Sequence, residues 1–144
     1  MKNRLLVLTA LLTAALVLSA CGSGSQTASL SGTSWTLVSF GPADAQTAAV
    51  EGIQTSLIFD LKGNISGNMG CNSFGGKYEV TGDTVSFSEV ISTMMACADP
   101  RMNQERAAFK ILNSSATFKL DGDTLKLCDT SGADCLLLKQ ARQP

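Results

Sequence analysis

The sequence contains no histidine, one tryptophan, one tyrosine and three prolines. Without histidine, the Ser-His-Asp and Cys-His arrangements of nucleophilic catalysis are excluded. The chain also has no GxSxG elbow, no phosphate-binding loop and no dinucleotide-binding fingerprint. We therefore expect a protein that is not an enzyme and that uses no cofactor and no metal.

Charged residues are scarce as well, at 16% of the chain, and no run of Lys and Arg interrupts the sequence. Lys2 and Arg4 lie in a segment that we expect to be removed, which would leave 9 basic and 12 acidic residues and a net charge of −3. A basic patch is the electrostatic footprint of nucleic-acid binding. Its absence argues against a nucleic-acid partner.

Residues 1–20 have the pattern of a secretory signal peptide. Lys2 and Arg4 precede an uncharged apolar run over Leu5–Leu18, and two small residues follow. This run has 14 residues, whereas a helix needs ~20 to cross a bilayer. An uncleaved anchor helix is the alternative, and the short run disfavours it.

The four residues Leu18–Cys21 resemble the lipobox of bacterial lipoproteins. The resemblance implies cleavage before Cys21, a lipid on its sulfur and an acylated N-terminus. Several acyl chains, at ~0.8 kcal/mol per buried CH₂, make a stable membrane anchor. The next residue is Gly22 rather than the aspartate that retains enteric lipoproteins in the inner membrane. We therefore expect an outer-membrane lipoprotein facing the periplasm, or the outer face of the cell membrane in a host with one membrane.

One folded domain follows the anchor. Residues 21–29 comprise the lipidated cysteine and a Gly/Ser-rich segment that predicts a flexible tether. Its eight residues after Cys21 have a typical reach of roughly 16 Å. The remaining length suits a single domain over residues 30–140.

Four cysteines remain for the domain, namely Cys71, Cys97, Cys128 and Cys135. An even number in an exported protein is typical of disulfides. Cys128 and Cys135 flank a short polar loop between two apolar runs, so we favour that pair together with Cys71–Cys97 among the three possible pairings. A zinc site is the alternative, but no CxxC pair and no histidine are present. Reactive thiols are a second alternative, which the lack of Cys-x-x-Cys also disfavours.

The domain alternates apolar and polar residues in short runs between turn signals, which is typical of antiparallel strands. Glycines inside one of these runs suggest a tightly curved, barrel-like wall. The predicted fold class is therefore mainly β with one helix (α+β), in a small antiparallel barrel. The predicted strands are Ser34–Phe40, Ser56–Asp60, Ile65–Cys71, Gly75–Val80, Thr84–Phe87, Ala116–Leu120, Thr124–Cys128 and Cys135–Lys139.

One helix is predicted from Asp99, as its N-cap, with Pro100 in the first turn, to about Asn113. Its apolar arc contains Met102, Ala108, Phe109 and Leu112. Glu105 falls near the middle of that arc, and a buried carboxylate needs hydrogen bonds or a cation. We expect Glu105 to be a structural carboxylate that accepts from backbone N–H groups or an Arg, with proton transfer as the alternative.

The densest cluster of small polar residues is Asn68, Asn72 and Ser73, among glycines. Turn chemistry explains such a cluster, and a recognition surface is the alternative function. Met94 and Met95 could pack as adaptable core or line an apolar opening, and the core is favoured.

Three segments resemble the META domain family, which includes HslJ-like heat-shock lipoproteins. They are Gly70–Tyr78, with its GCN start, Ser92–Cys97, and the helix residues Gln104, Glu105 and Phe109. The resemblance covers about residues 30–139. It implies a compact, mainly β barrel-like domain with one helix in an envelope protein, and links to heat shock and drug tolerance. It supplies no catalytic residues.

The sequence thus favours a membrane-anchored, non-enzymatic module of the envelope that acts in stress or drug tolerance. We expect a monomer that contacts the membrane through its lipid and binds an envelope protein. Two alternatives remain: an inhibitor of a periplasmic hydrolase such as lysozyme or a protease, and a carrier of a small ligand inside the barrel.

Overall fold

Alternating apolar residues build nine antiparallel strands and one helix over residues 29–141, the part of the chain that the computed structural model describes. The expected signal peptide and the expected lipidation site Cys21 lie outside these residues. The elements are β1 Thr33–Pro42, β2 Thr47–Ala48, β3 Ser56–Phe59, β4 Asn64–Asn68, β5 Ser73–Thr81, β6 Thr84–Ser92, α1 Asp99–Leu112, β7 Ser115–Asp121, β8 Thr124–Asp129 and β9 Asp134–Gln140.

Eight of the strands close into a barrel. From β3 to β9 each strand pairs with the next one along the chain, β1 pairs with β3, and β1 also pairs with β9 from Trp35↔Gln140 to Pro42↔Asp134. The short β2 is added to the side of β1, where Ser39 and Phe40 pair with it. Closure pairs the strands that would otherwise be edges. The predicted barrel-like, mainly β fold with one helix is confirmed.

Strict alternation of strand direction gives the barrel two distinct ends. The β3–β4, β5–β6 and β7–β8 turns lie at one end, which we call the hairpin pole. Both ends of the described chain lie there too, since Gly32 N–H donates to the Phe59 carbonyl and Ala141 N–H donates to that of Ser34. The β4–β5, β6–α1 and β8–β9 connections lie at the opposite end, the disulfide pole, which contains both disulfide bonds.

The interior of the barrel is filled by side chains. Inward residues alternate along each strand, as Leu125 and Leu127 do on β8. Such close packing stabilises the fold by roughly 1.5–3 kcal/mol for each fully buried large apolar side chain. Twelve large side chains are less than 2% exposed: Leu30, Trp35, Leu57, Phe59, Ile65, Met69, Ile111, Leu112, Leu125, Leu127, Leu136 and Leu138.

The helix α1 contributes Ala108, Ile111 and Leu112 to this core. The predicted N-cap is wrong: Ala98 is the N-cap, no side chain caps the helix, and Asp99 lies in the first turn. There its negative charge still faces the positive end of the helix dipole. Within residues 29–141, no helix is both long and apolar enough to cross a bilayer.

Two strands end at residues other than those predicted from the alternation of apolar and polar residues. We predicted that β4 continues to Cys71, but it ends at Asn68, whose Oδ1 accepts from Gly70 N–H at 2.8 Å and so turns the chain. We predicted that β6 ends at Phe87, but it continues to Ser92 because β5 pairs with it along its whole length. Only Thr84–Ser86 of β6 pair with β7.

The β3–β4 turn is held by the Asp60 carboxylate. Its Oδ1 accepts from the backbone N–H groups of Lys62 and Asn64, each at 2.7 Å, and Oδ2 accepts from the Asn64 side chain at 2.7 Å. The Asn64 bonds hold the pKa of Asp60 below its ordinary value. Because the folded pKa is lowered, this stabilisation is present above the unfolded pKa and is lost as the pH falls through the folded value.

Gly67 shows why glycine is required in this wall. It has a φ of +155°, and a Cβ at this position would lie 1.9 Å from the Ser56 carbonyl oxygen on the neighbouring strand. Any side chain here would force β3 and β4 apart.

We therefore expect Gly67→Ala to lower the free energy of unfolding by about 3 kcal/mol or more, since backbone strain and a backbone clash combine. Urea unfolding followed by circular dichroism measures the loss. Gly75→Ala is the matched control, because a Cβ at Gly75 finds its nearest contact at 3.7 Å. Equal losses in the two variants would contradict this account of the curvature.

Candidate functional site

The helix presents Glu105 to the β4–β5 turn at the disulfide pole. Glu105 is 4% exposed. Its Oε2 accepts from the backbone N–H groups of Cys71, at 3.0 Å, and Asn72, while Oε1 accepts from the Asn72 side chain at 2.7 Å. Three N–H donors thus offset the cost of burying the carboxylate. Glu105 has the structural contacts that its place in the apolar arc of the helix indicates.

Asn72 links the β4–β5 turn to the segment that follows β6. Its Oδ1 accepts from Met95 N–H at 2.7 Å and from the Thr93 hydroxyl at 2.8 Å. Its Nδ2 donates to the Met95 carbonyl at 3.3 Å as well as to Glu105. All four hydrogen-bonding positions of the carboxamide are therefore used. The side chain binds the Met95 backbone as a neighbouring strand would.

Asn72 is only 4% exposed. The alternative of a recognition surface therefore does not fit the Asn72 side chain, because every polar atom of that side chain is already bonded inside the protein. Asn68 is half-buried and holds the turn, since it accepts from Gly70 N–H and donates to the Cys71 carbonyl. Ser73 alone of the three is exposed, and its carbonyl accepts from Thr93 N–H at 3.0 Å.

The segment Ile91–Ala98, which we call the methionine segment, is the exposed feature that this scaffold holds. Ile91 is 75% exposed, Met94 97% and Met95 56%. The prediction that the two methionines are core is wrong, because the protein binds the backbone of this segment and leaves its side chains in solvent. Large apolar side chains in such a rigid, exposed position are typical of interaction surfaces.

The Cys71–Cys97 disulfide fixes the end of the methionine segment. The two Cα atoms are 6.0 Å apart, and the bond closes a separation of 26 residues. In the chain-entropy model a loop of this length is worth about 3.6 kcal/mol. Both cysteine pairs that the sequence favours are bonded, the second being Cys128–Cys135 between β8 and β9. These cysteines are thus not free thiols.

Further contacts fix the angle of the helix over the pole. Gln104 is fully buried, donates to the Met69 carbonyl at 2.8 Å and accepts from Val50 N–H at 2.7 Å. Arg101 donates through Nε to the Gly70 carbonyl at 2.7 Å. The helix therefore holds the β4–β5 turn through both charged and neutral groups.

An ion pair and a hydrogen-bonded turn lie near the β8–β9 connection of this pole. Lys110 near the end of the helix pairs with Asp134 at the start of β9, and this contact raises the pKa of Lys110. The Ser131 hydroxyl donates to Asp129 and holds the pKa of that carboxyl below its ordinary value. The methionine segment itself contains no charged residue. Its surface is apolar rather than electrostatic.

The exposed apolar side chains of the disulfide pole suit contact with a partner. In the described residues, no group of three His, Cys, Asp or Glu is arranged to hold a metal ion. A shallow depression of about 290 Å³ adjoins the methionine segment. It is at the low end of small-molecule sites and suits one inserted side chain. Its lining residues are Ser73, Phe74, Gly75, Ile91, Ser92 and Thr93.

Comparison with known protein families identifies the family of this domain. A family model described as the META domain matches residues 28–142. This chain belongs to the META domain family. The resemblance carried by the GCN start and the helix residues is therefore confirmed, and Gln104 and Glu105 among them bind the helix to the β4–β5 turn. The META domain is not a known enzyme family, and membership suggests an envelope-type protein without catalysis. No curated protein matches the chain.

Solved structures share the META fold. An NMR structure of a protein from Burkholderia xenovorans has a TM-score of 0.66 at 24% identity, covering 79% of this chain and 85% of that one. A second NMR structure has a TM-score of 0.58 at 21% identity, covering 75% and 88%. A crystal structure of a DUF4847 family protein from Bacteroides vulgatus has a TM-score of 0.55 at 14% identity, covering 78% and 95%. At these identities the likeness shows the fold alone.

Sequence reasoning missed the methionine segment as a surface. A signal was available, since Met94 and Met95 are adjacent in a stretch with neither helical nor strand periodicity, and such a stretch does not pack one face on a core. The partner of Asn72 gave no signal, because it lies 23 residues further along the chain.

We expect Glu105→Gln to lower the free energy of unfolding by about 1.5–3 kcal/mol, the range for hydrogen bonds to a charged group. In either orientation the new NH₂ would face an N–H donor, so one contact becomes repulsive. Urea unfolding measures the loss, and amide exchange at Cys71 and Asn72 should accelerate. The exposed Glu79→Gln is the control. A Glu105→Gln variant as stable as this control would refute the role given to the carboxylate.

Proposed function

We propose that this META domain protein is a lipoprotein of the bacterial envelope whose domain binds a partner and catalyses no reaction. Cys21 would carry the lipid anchor in the outer membrane, with the domain in the periplasm. The family resemblance and the exported, disulfide-bonded character support a role in envelope stress or drug tolerance. The partner would be an envelope protein with an apolar contact surface.

The observation that carries the proposal is the rigid exposure of the methionine segment. Thr93 and Met95 are fixed by Asn72, and Cys97 is fixed by its disulfide. The side chain of Met94 projects between these fixed points into solvent. A preorganised apolar surface loses little conformational entropy on binding, and methionine adapts to partners of different shape.

A hydrolase inhibitor is the second candidate, and the same segment favours it. A projecting loop held by a disulfide can enter the cleft of an enzyme without rearranging. If this is the function, the purified soluble domain slows lysozyme or a periplasmic protease. A carrier of a small ligand inside the barrel has less support, because the interior is filled by the large buried side chains of the core.

Replacing both exposed methionines tests the binding function. A strain that lacks the gene is complemented with the wild type, with Met94→Ser/Met95→Ser, or with Val38→Ser as a matched exposed apolar site on β1. Losing two apolar contacts should weaken partner binding at least about 10-fold. We expect the wild type and Val38→Ser to restore survival under heat and antibiotics, and the double variant to fail.

Crosslinking in intact envelopes, followed by pull-down, should lose the same partner only in the double variant. Full rescue by Met94→Ser/Met95→Ser, with an unchanged crosslinked partner, would rule out the methionine segment as the binding surface.

Replacing the proposed lipidation site tests the anchor separately. Cys21→Ser cannot form the thioether, so we expect it to leave the membrane fraction and appear in the soluble periplasmic fraction. Fractionation and intact mass measure this, with the wild type as the lipidated reference. A Cys21→Ser protein that stays membrane-bound although intact mass shows residues 1–20 removed would show that the anchor is not this lipid.

A further inference from the structure

We propose that the hairpin pole faces the membrane and that the β3–β4 turn enters the lipid headgroup layer, where Leu61 at its tip reaches the boundary of the acyl chains. This inference rests on the proposed lipid anchor at Cys21. It adds an orientation of the domain: the methionine segment at the disulfide pole then points away from the bilayer, toward partners that lie outside it.

The first described residues show where the chain joins the barrel. Ser29 is the first described residue, and its hydroxyl accepts from Ser31 N–H at 3.3 Å. The Ser31 hydroxyl donates to the Asp60 carbonyl at 3.4 Å, and Gly32 N–H donates to the Phe59 carbonyl at 2.8 Å. The tether therefore ends beside the β3–β4 turn.

The chain between that point and the proposed anchor is short. Ser29 is the eighth residue after Cys21, and eight residue steps span at most about 29 Å even when fully extended. A domain of this size is about 34 Å across, from a radius of gyration of about 13 Å. The hairpin pole is thus confined to within about 29 Å of the bilayer, a distance shorter than the domain itself.

Exposed apolar side chains lie at the point of attachment. Leu61 is 82% exposed and lies over Gly32, where a Cβ would come within 3.0 Å of its Cδ2 atom. Ile58, 39% exposed, adjoins it in a depression of about 430 Å³ between the start of β1 and the β3–β4 turn. An isolated exposed leucine is ordinary, but one beside a lipidated tether is held at an interface that it can enter.

The charges select the kind of lipid surface. The hairpin pole contains Asp83 and Asp121 in its turns, and Asp123, which pairs with Lys139 at 3.3 Å. Asp60 is occupied by the bonds within its own turn. These carboxylates would be repelled by an anionic surface, so the fitting partner is a zwitterionic headgroup layer. Lys62, next to Leu61, can approach its phosphates.

Tryptophan fluorescence in vesicles tests the orientation. The lipidated, full mature protein is prepared as Leu61→Trp and as Met94→Trp, which place an indole at opposite poles. The native Trp35 is 2% exposed, and the unsubstituted protein provides its background. Each protein is bound to phosphatidylcholine vesicles with plain or brominated acyl chains, and flotation first establishes that it is bound.

We expect brominated lipid to reduce the emission of Leu61→Trp about two-fold and that of Met94→Trp hardly at all, since an indole about 5–10 Å deep lies beside the acyl chains. Lys62→Trp gives a second reading of the same turn and should respond in the same direction. Circular dichroism identifies any variant that does not fold.

The contrary results are distinct. Protein that floats but shows equal quenching at both poles, stronger quenching of Met94→Trp, or no quenching in either turn variant overturns the orientation and leaves the anchor intact. Lipidated protein that does not float overturns the anchor itself, and the orientation with it.

Discussion

A buried carboxylate joins the helix of this protein to its barrel. Glu105 is held by three N–H donors from Cys71 and Asn72, so it is stable only while the β4–β5 turn has its native shape. The dependence is mutual, because those backbone N–H groups have left the strand ladder and need an acceptor. Removing either partner leaves a buried polar group without its bond, which costs more than the bond itself contributes.

The exposed chemistry of the disulfide pole follows from that contact. Once Glu105 fixes Asn72, the carboxamide fixes the Met95 backbone, and the disulfide fixes Cys97 close behind. The buried polar contacts thus determine where the apolar methionine segment lies on the surface. The family motif, which contains the glutamate, the asparagine and the cysteines, is in this protein a device for holding a loop.

The barrel was predictable from local patterns, whereas the contacts that hold the surface of the site in place were not. Alternation located the strands, and helical periodicity placed Glu105 inside. The end of β4 was misjudged because Met69 and Cys71 continue the alternation of Ile65, although Asn68 turns the chain there. Met94 and Met95 were misjudged because hydrophobicity does not reveal that their backbone is already bound elsewhere. Such contacts join distant residues and have no local signature.

The pairing of β1 has a mechanical consequence. The tether joins the chain just before Thr33, and β1 is paired along its length with β9 and, over its first residues, with β3. If the lipid anchor and a partner at the opposite pole are as proposed, a pull between them would run roughly along β1. It therefore loads many ladder hydrogen bonds in shear at the same time, whereas peeling would break them one after another. The domain would act as a stiff link, transmitting tension from the bilayer to its partner without unfolding first at its point of attachment.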